Sequence, residues 1–231
     1  MADLPRCCPL CGSDHLTLFC RDKRREYFRC RQCALVSVPA TMHLTATAEK
    51  AEYDKHNNQL ADAGYQAFLR RTWDPLLACL RQLQRPLTHI RGLDFGCGEG
   101  AVLSQVAAQD GVRVANYDLY YHPGTAVLQE QYDFITLTEV IEHIADAAAL
   151  VRQLDALLKP GGWLAVMTKR VLDQDAFSRW HYKNDPTHIC FYSDDTFEWL
   201  AERLGWHCEL SGKDVVLLRK PAAPDCTAPS E

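Results

Sequence analysis

Apolar positions along this chain recur with two periods, and the changes between them mark its elements. Phe68, Leu69, Leu76, Leu77, Leu80 and Leu83 repeat at helical spacing across residues 65–83, and Val102, Leu103, Val106 and Ala107 do so just past residue 100. Between the helical stretches lie short, nearly continuous apolar runs: HIRGLDF (89–95), VRVANYD (112–118) and YDFITLT (132–138). Runs of that length alternating with helices predict buried strands of a parallel sheet. Residues 194–204 predict a further helix, and 208–210 with 215–219 predict a hairpin that closes the sheet. The expected fold class is α/β, a doubly wound and mostly parallel sheet with a terminal antiparallel hairpin. Residues 48–59 are helical in pattern but polar, and the Pro/Ala/Ser-rich stretch 221–231 predicts a disordered tail.

The first strand breaks into FGCGEG (95–100), where Gly96, Gly98 and Gly100 let the backbone turn tightly and approach a ligand, and a helix opens at once. Asp94 stands directly upstream, where it would repel a pyrophosphate and suits a cationic group such as the amino group of a methionine moiety. About eighteen residues past the last loop glycine, the second strand ends in Asp118, a place from which an acid accepts hydrogen bonds from ribose hydroxyls.

On these residues, followed in order by YDFITLTEVIEHI (132–144) and LLKPGGWLAVMT (157–168), residues 87–220 resemble the class I S-adenosylmethionine-dependent methyltransferases. The resemblance implies a Rossmann-like fold and a fifth strand within 157–168. It places Asp94, Gly96, Cys97 and Gly98 at the methionine portion of the cofactor and Asp118 at the ribose; the family's acidic contact to the adenine has no counterpart here, and Leu119, Tyr120 or Tyr121 are the candidates to cover the adenine instead. Glu139, past the fourth strand, joins the cofactor contacts. Cysteine is common in this family's loop and Cys97 need do nothing there. One departure stands out: only fourteen residues separate Asp118 from Asp133, so the third-strand unit is shortened. Residues 41–86 correspond to helices that lie over the cofactor in many members, which makes Tyr53 and His56 candidate contacts or merely an exposed helix face.

Glu139, Glu142 and His143 in TEVIEH fall at i, i+3 and i+4, so a helix beginning there would project all three from one face. Two carboxylates and an imidazole make a site for Mg2+ or another divalent ion, able to acidify a substrate hydroxyl. The string is similar to that of the small-RNA 2′-O-methyltransferases and the ubiquinone-pathway O-methyltransferases, where it carries such an ion and, in the RNA enzymes, a further histidine. His188 in DPTH could complete the set, with His181 as the alternate. Many metal-free members of the superfamily carry a similar string, and without an ion His143, His181 or His188 could act as general base. The aromatic and polar segment WHYKND (180–185) reads as a substrate-lining loop.

Near the N-terminus, Cys8 and Cys11 form one C-x-x-C knuckle and Cys30 and Cys33 another, eighteen residues apart. That spacing predicts a four-thiolate zinc ribbon over residues 1–40, a segment too small for a core of its own and dependent on the metal for folding. Residues 41–86 are then a helical lid or linker, 87–220 the catalytic domain and 221–231 the tail. With eleven cysteines, 231 residues, no export signal and no long apolar stretch, free thiols and metal ligation are expected over disulfides, in a cytoplasmic protein without a membrane span. Residues 1–33 carry seven Lys/Arg against four Asp/Glu, whereas the whole chain has net charge −5. The small surplus leaves RNA open as a partner, although the acidic remainder argues against an extended phosphate track. A small-molecule acceptor, methylated on oxygen, is the principal expectation; a cofactor-binding scaffold that recruits a protein through its ribbon is the third.

Overall fold

A computed structural model describes residues 6–55 and 59–223. The chain opens with β1 (Leu16–Arg21), β2 (Glu26–Cys30) and β3 (Val36–Ser37), then two helices, α1 (Ala46–Tyr53) and α2 (Ala63–Arg81). The alternating part follows as β4 (Arg91–Phe95), α3 (Val102–Gln109), β5 (Arg113–Tyr117), β6 (Tyr132–Thr138), α4 (Ala147–Leu157) and β7 (Leu158–Met167). After α5 (Gln174–Ser178) and β8 (Cys190–Phe191) come α6 (Asp194–Leu204), β9 (His207–Ser211) and β10 (Val215–Arg219). Six strands form one sheet in the order β5-β4-β6-β7-β10-β9, with β4 to β7 parallel and β10 antiparallel to both neighbours. This is the Rossmann-like, doubly wound sheet with its terminal hairpin.

Alternation along the central strands sorts the core into two faces. Trp163, Ala165 and Met167 of β7 and Val215 and Leu217 of β10 pack with α2 and α3, while Leu164, Val166, Val216 and Leu218 pack on the other side with α4 and α6. The lid or linker segment therefore divides. α2 buries Leu69, Trp73, Leu76, Leu77 and Leu80 and is a layer of the sandwich, whereas α1 buries no residue. Beyond β5 the chain makes an Asp118–His122 bridge and a 3-10 turn over Thr125–Gln129 before entering β6. No third strand is inserted there among the described residues, and β5 is an edge of the sheet.

The N-terminal strands form a second sheet whose order is β1-β2-β3-β8, so its last strand comes from residues 190–191. Tyr27, Cys30, Leu35 and Val36 share one buried cluster with Phe177, Phe191 and Leu150. The N-terminal segment thus packs in a core shared with the larger body and takes a strand from it.

Candidate active site

At the C-terminal ends of the parallel strands, two loops meet. The turn after β4 starts at Gly96, whose φ of 82° and amide bond to the Tyr117 carbonyl (2.7 Å) fix its path. A Cβ there would stand 2.4 Å from Val140 Cγ2, so only glycine lets this turn pass the loop after β6. At Gly98, with φ 65°, an added Cβ would meet nothing within 4 Å, so open space lies beside its α-carbon. Asp118 ties the loops together: its Oδ2 accepts from the Gly98 amide (3.0 Å) and its Oδ1 from those of Tyr120 and Tyr121 (2.9 and 3.0 Å). Three of the roughly four acceptor positions of this carboxylate are engaged within the protein.

Asp94 is buried and accepts the Thr136 hydroxyl at 2.8 Å. Burial pushes its pKa up to about 7, the nearby Asp118 charge adding to the rise and the Thr136 bond opposing it. An ammonium group beside it would remove that penalty. Burial likewise pushes the Cys97 thiol up, which leaves it protonated and unreactive at neutral pH. α1 spans this end. Glu49 accepts from the hydroxyls of Tyr53 (2.8 Å) and Tyr120 (2.9 Å), Asp54 accepts from Tyr121 (2.7 Å), and the Tyr53 ring meets His143 edge-on at 5.3 Å between centroids. Leu119 is 65% exposed, and His56 lies outside the described residues.

On the other side of the loop after β6 the expected helix does not form. Glu139 takes a left-handed φ of 52° and residues 141–143 make a 3-10 turn, so the i, i+3, i+4 face is lost. Glu142 turns fully inward, and with His143 and His188 it forms a group whose ligand atoms all lie within 4.8 Å of one another. Glu139 stands outside that group. It meets Glu142 through Tyr182, whose Oη lies 3.0 Å from Glu139 Oε2 and 2.5 Å from Glu142 Oε1. Sequence reasoning placed Tyr182 in an aromatic loop and gave it no such role. His181 is exposed and pairs with Lys169 Nζ at 3.1 Å, apart from the other two histidines.

His143 Nδ1 faces the Thr187 carbonyl (3.2 Å) and His188 Nδ1 the Tyr182 carbonyl (2.8 Å). Donation at Nδ1 leaves each Nε2 with a free lone pair. Glu142 Oε2 has no hydrogen-bond partner although it is buried. Burial raises Glu142 to about 7; burial and then the Glu142 charge raise Glu139 to about 7. Burial lowers His143, and lowers His188 to about 4 with the His143 charge second. Both imidazoles are therefore neutral at pH 7, the state that coordinates a cation or accepts a proton.

The four knuckle thiols converge separately. Cys8 and Cys33 lie 3.5 Å apart, Cys11 and Cys30 3.4 Å, and all four sulfurs fall within 4.8 Å of one another. Tetrahedral zinc with bonds of about 2.3 Å would set sulfurs at about 3.8 Å. A hydrogen bond from Cys33 holds Cys8 down at about 5, while burial pushes Cys11 up to about 12.

A Rossmann-like sheet with a glycine turn at its carboxyl edge defines a cofactor-binding α/β protein. Residues 65–210, more than half the chain, match the family model described as a methyltransferase domain, and the chain belongs to that family. Among similar proteins, ubiquinone biosynthesis O-methyltransferase of Bordetella avium is 31% identical over 157 residues, covering 52% of this chain and 61% of that protein. The Bordetella pertussis protein of the same name is 30% identical over 141 residues, covering 45% and 58%. The chain thus spans about three-fifths of the length of these relatives. The crystal structure of Burkholderia thailandensis 1,6-didemethyltoxoflavin-N1-methyltransferase, with bound 1,6-didemethyltoxoflavin and S-adenosylhomocysteine, shares the fold at a TM-score of 0.52. It is 18% identical and covers 87% of this chain and 97% of its own.

Proposed function

We propose that this chain transfers a methyl group from S-adenosylmethionine to an oxygen of a small-molecule acceptor. The observation that carries the reading is the convergence of Glu142, His143 and His188, whose ligand atoms lie within 4.8 Å of one another and which include a buried carboxylate oxygen without a hydrogen-bond partner. The open space beside Gly98 and the uncompensated Asp94 carboxylate fit the methionine end of the donor. Asp118, Tyr120 and Tyr121 frame its nucleoside end, with α1 across them.

In-line displacement moves the methyl from the sulfonium to the acceptor oxygen and releases the acceptor's proton. The protein must align the two reactants and accept that proton. Neutral His143 and His188 can take it at Nε2, and Tyr53 and Tyr182 shape the space around them. The same three side chains fit a divalent ion, Mg2+ or Mn2+, because two neutral imidazoles and an orphaned carboxylate oxygen are a ligand set. Such an ion would supply Lewis acidity toward the acceptor hydroxyl. The four cysteines fit a structural zinc.

The RNA alternative loses ground to specific contacts. Of the basic residues near the N-terminus, Arg25 is buried, Arg21 pairs with Glu26 (2.5 Å) and Arg29 with Asp195 (3.2 Å). No helix among the described residues is long and apolar enough to cross a membrane.

Asp118→Ala is expected to weaken S-adenosylhomocysteine binding by more than the ribose contact alone, about 1.5–3 kcal/mol for a charged hydrogen bond, because it also releases the Gly98, Tyr120 and Tyr121 amides. Calorimetry finding wild-type affinity would refute this placement. If wild-type protein bound neither the donor nor its demethylated product, the proposed activity would fall with it.

The buried carboxyls should contribute less stability as pH rises through neutrality. Asp94, Glu139 and Glu142 hold their protons to about 7 when folded but only to about 4 when unfolded, so their contribution is complete below the unfolded value and is lost as pH rises through 7. His143 and His188 act oppositely, but their lowered values place that change below about 6.5. Cys8, held down at about 5, acts in the opposite sense over the same interval, so the carboxyl effect is read as a difference: from pH 6.5 to pH 8 the ligand-free wild type should lose more melting temperature, or gain less, than Glu142→Gln. Scanning calorimetry showing equal changes in the two proteins would contradict the assignment.

A further inference from the structure

Arg25 sits in the turn between β1 and β2, yet its side chain is directed neither to solvent nor to a carboxylate. It is 8% exposed, and its guanidinium donates to four backbone carbonyls of one distant loop. Nη1 reaches the carbonyls of His188 (2.7 Å) and Pro186 (3.3 Å), and Nη2 those of Asp185 (2.8 Å) and Lys183. The loop's own bonds are local: a 3-10 turn over His181–Asn184, the His188 amide to the Asp185 carbonyl at 3.3 Å, the Thr187 amide and hydroxyl to Asp185 Oδ1 (2.9 and 2.5 Å), and His188 Nδ1 against the Tyr182 carbonyl; among these only one is between backbone groups of residues 185–188. Four carbonyl dipoles aimed at one point repel each other unless a donor-rich cation stands between them. A planar guanidinium, always charged, with five N–H groups in a fixed fork, satisfies them together.

The turn that carries Arg25 is itself held. Asp22 Oδ1 accepts from the amides of Arg24 and Arg25 (2.8 and 2.9 Å), and its Oδ2 accepts from Lys183 Nζ (2.8 Å) and the Tyr27 hydroxyl (2.9 Å). Past the loop, the Val38 amide donates to the Ile189 carbonyl and the Ile189 amide to the Glu142 carbonyl, both at 2.9 Å. The cysteine-knuckle sheet, the His188 loop and the Glu142 turn are thus one hydrogen-bonded unit.

We propose that Arg25 is a positioning residue: it fixes the backbone of residues 183–188 so that His188 stands in register with Glu142 and His143, and the knuckle unit is in this way the scaffold of the acceptor side of the active site. The proposal rests on the reading of those three side chains given above. It assigns the N-terminal unit a task inside the catalytic centre, distinct from gripping a macromolecule.

The test uses the full zinc-loaded chain and compares wild type with Arg25→Ala and Arg25→Lys. Mn2+ affinity is followed by the electron-spin signal of the free ion, S-adenosylhomocysteine affinity by calorimetry, and loop order by amide exchange at residues 187–190. Arg25→Ala should weaken Mn2+ at least tenfold and speed exchange at those amides at least tenfold, with S-adenosylhomocysteine affinity within twofold of wild type. Arg25→Lys should fall between, since an ammonium has three donors and no fork; should the alanine variant fail to fold, the lysine variant carries the same comparison. Wild-type exchange and Mn2+ affinity in the variants would overturn the proposal, as would parallel losses of Mn2+ and S-adenosylhomocysteine, which would mean general damage. If wild-type protein binds no Mn2+, the divalent-ion reading fails on its own, and amide exchange still decides the role of Arg25.

Discussion

Glu142→Gln should abolish methyl transfer while leaving S-adenosylhomocysteine affinity unchanged. The substitution keeps the volume and one acceptor oxygen toward Tyr182 but removes the charge and puts an amide at the buried position that lacks a partner. The proposed donor contacts lie on the loops after β4 and β5, so they should survive. If a divalent ion works here, its affinity should drop by about 100-fold or more, since even partners behind the ligands cost 10–100-fold. Activity should then fall with a weak chelator that spares thiolate-bound zinc, and recover with Mg2+ or Mn2+. Chelator resistance, together with loss of the acidic limb of the pH–rate profile in His143→Ala, would assign proton removal to the histidine instead. A glutamine variant that turned over like wild type would remove Glu142 from both schemes.

What the sequence disclosed of this site was whatever is local. Gly96, Gly98, Asp94 and Asp118 are legible because a strand, a turn and a helix follow each other within a few residues, and short, nearly continuous apolar runs identify the strands. The two C-x-x-C knuckles are legible for the same reason. The face shared by Glu139, Glu142 and His143 was misjudged because spacing alone does not distinguish an α-helix from a left-handed residue followed by a 3-10 turn. That turn is imposed by tertiary contacts: Glu142 packs under Tyr182, and the Glu142 carbonyl accepts from Ile189. Arg25 was illegible altogether. It looks like one of several basic residues on a small ribbon, and its partners lie about 160 residues downstream. His188 and His181 are seven residues apart, and only the fold turns one inward beside His143 and the other outward against Lys169.

The same entanglement governs what loss of the knuckle metal should do. Zinc bound to isolated ribbon peptides contributes about 10–16 kcal/mol of apparent free energy, as much as the whole stability of an ordinary domain, about 5–15 kcal/mol. In a separable module, removing it would unfold that module alone. Here β3 pairs with β8, Tyr27 and Val36 are buried in the cluster that contains Phe177 and Phe191, and Arg25 holds the His188 loop. Cys33→Ser should therefore destabilise the chain as one cooperative unit. Losing even the smaller part of the zinc contribution, a deficit of about 4 kcal/mol, would lower the melting temperature by about 8–16 °C in a chain of this size. Methyl transfer should disappear with it, because the ordered His188 loop depends on the same sheet. A wild-type melting temperature in zinc-free protein would refute the structural metal. Two separate melting transitions, the lower one leaving S-adenosylhomocysteine binding and divalent-ion affinity intact, would instead make the ribbon an independent module and detach it from the chemistry.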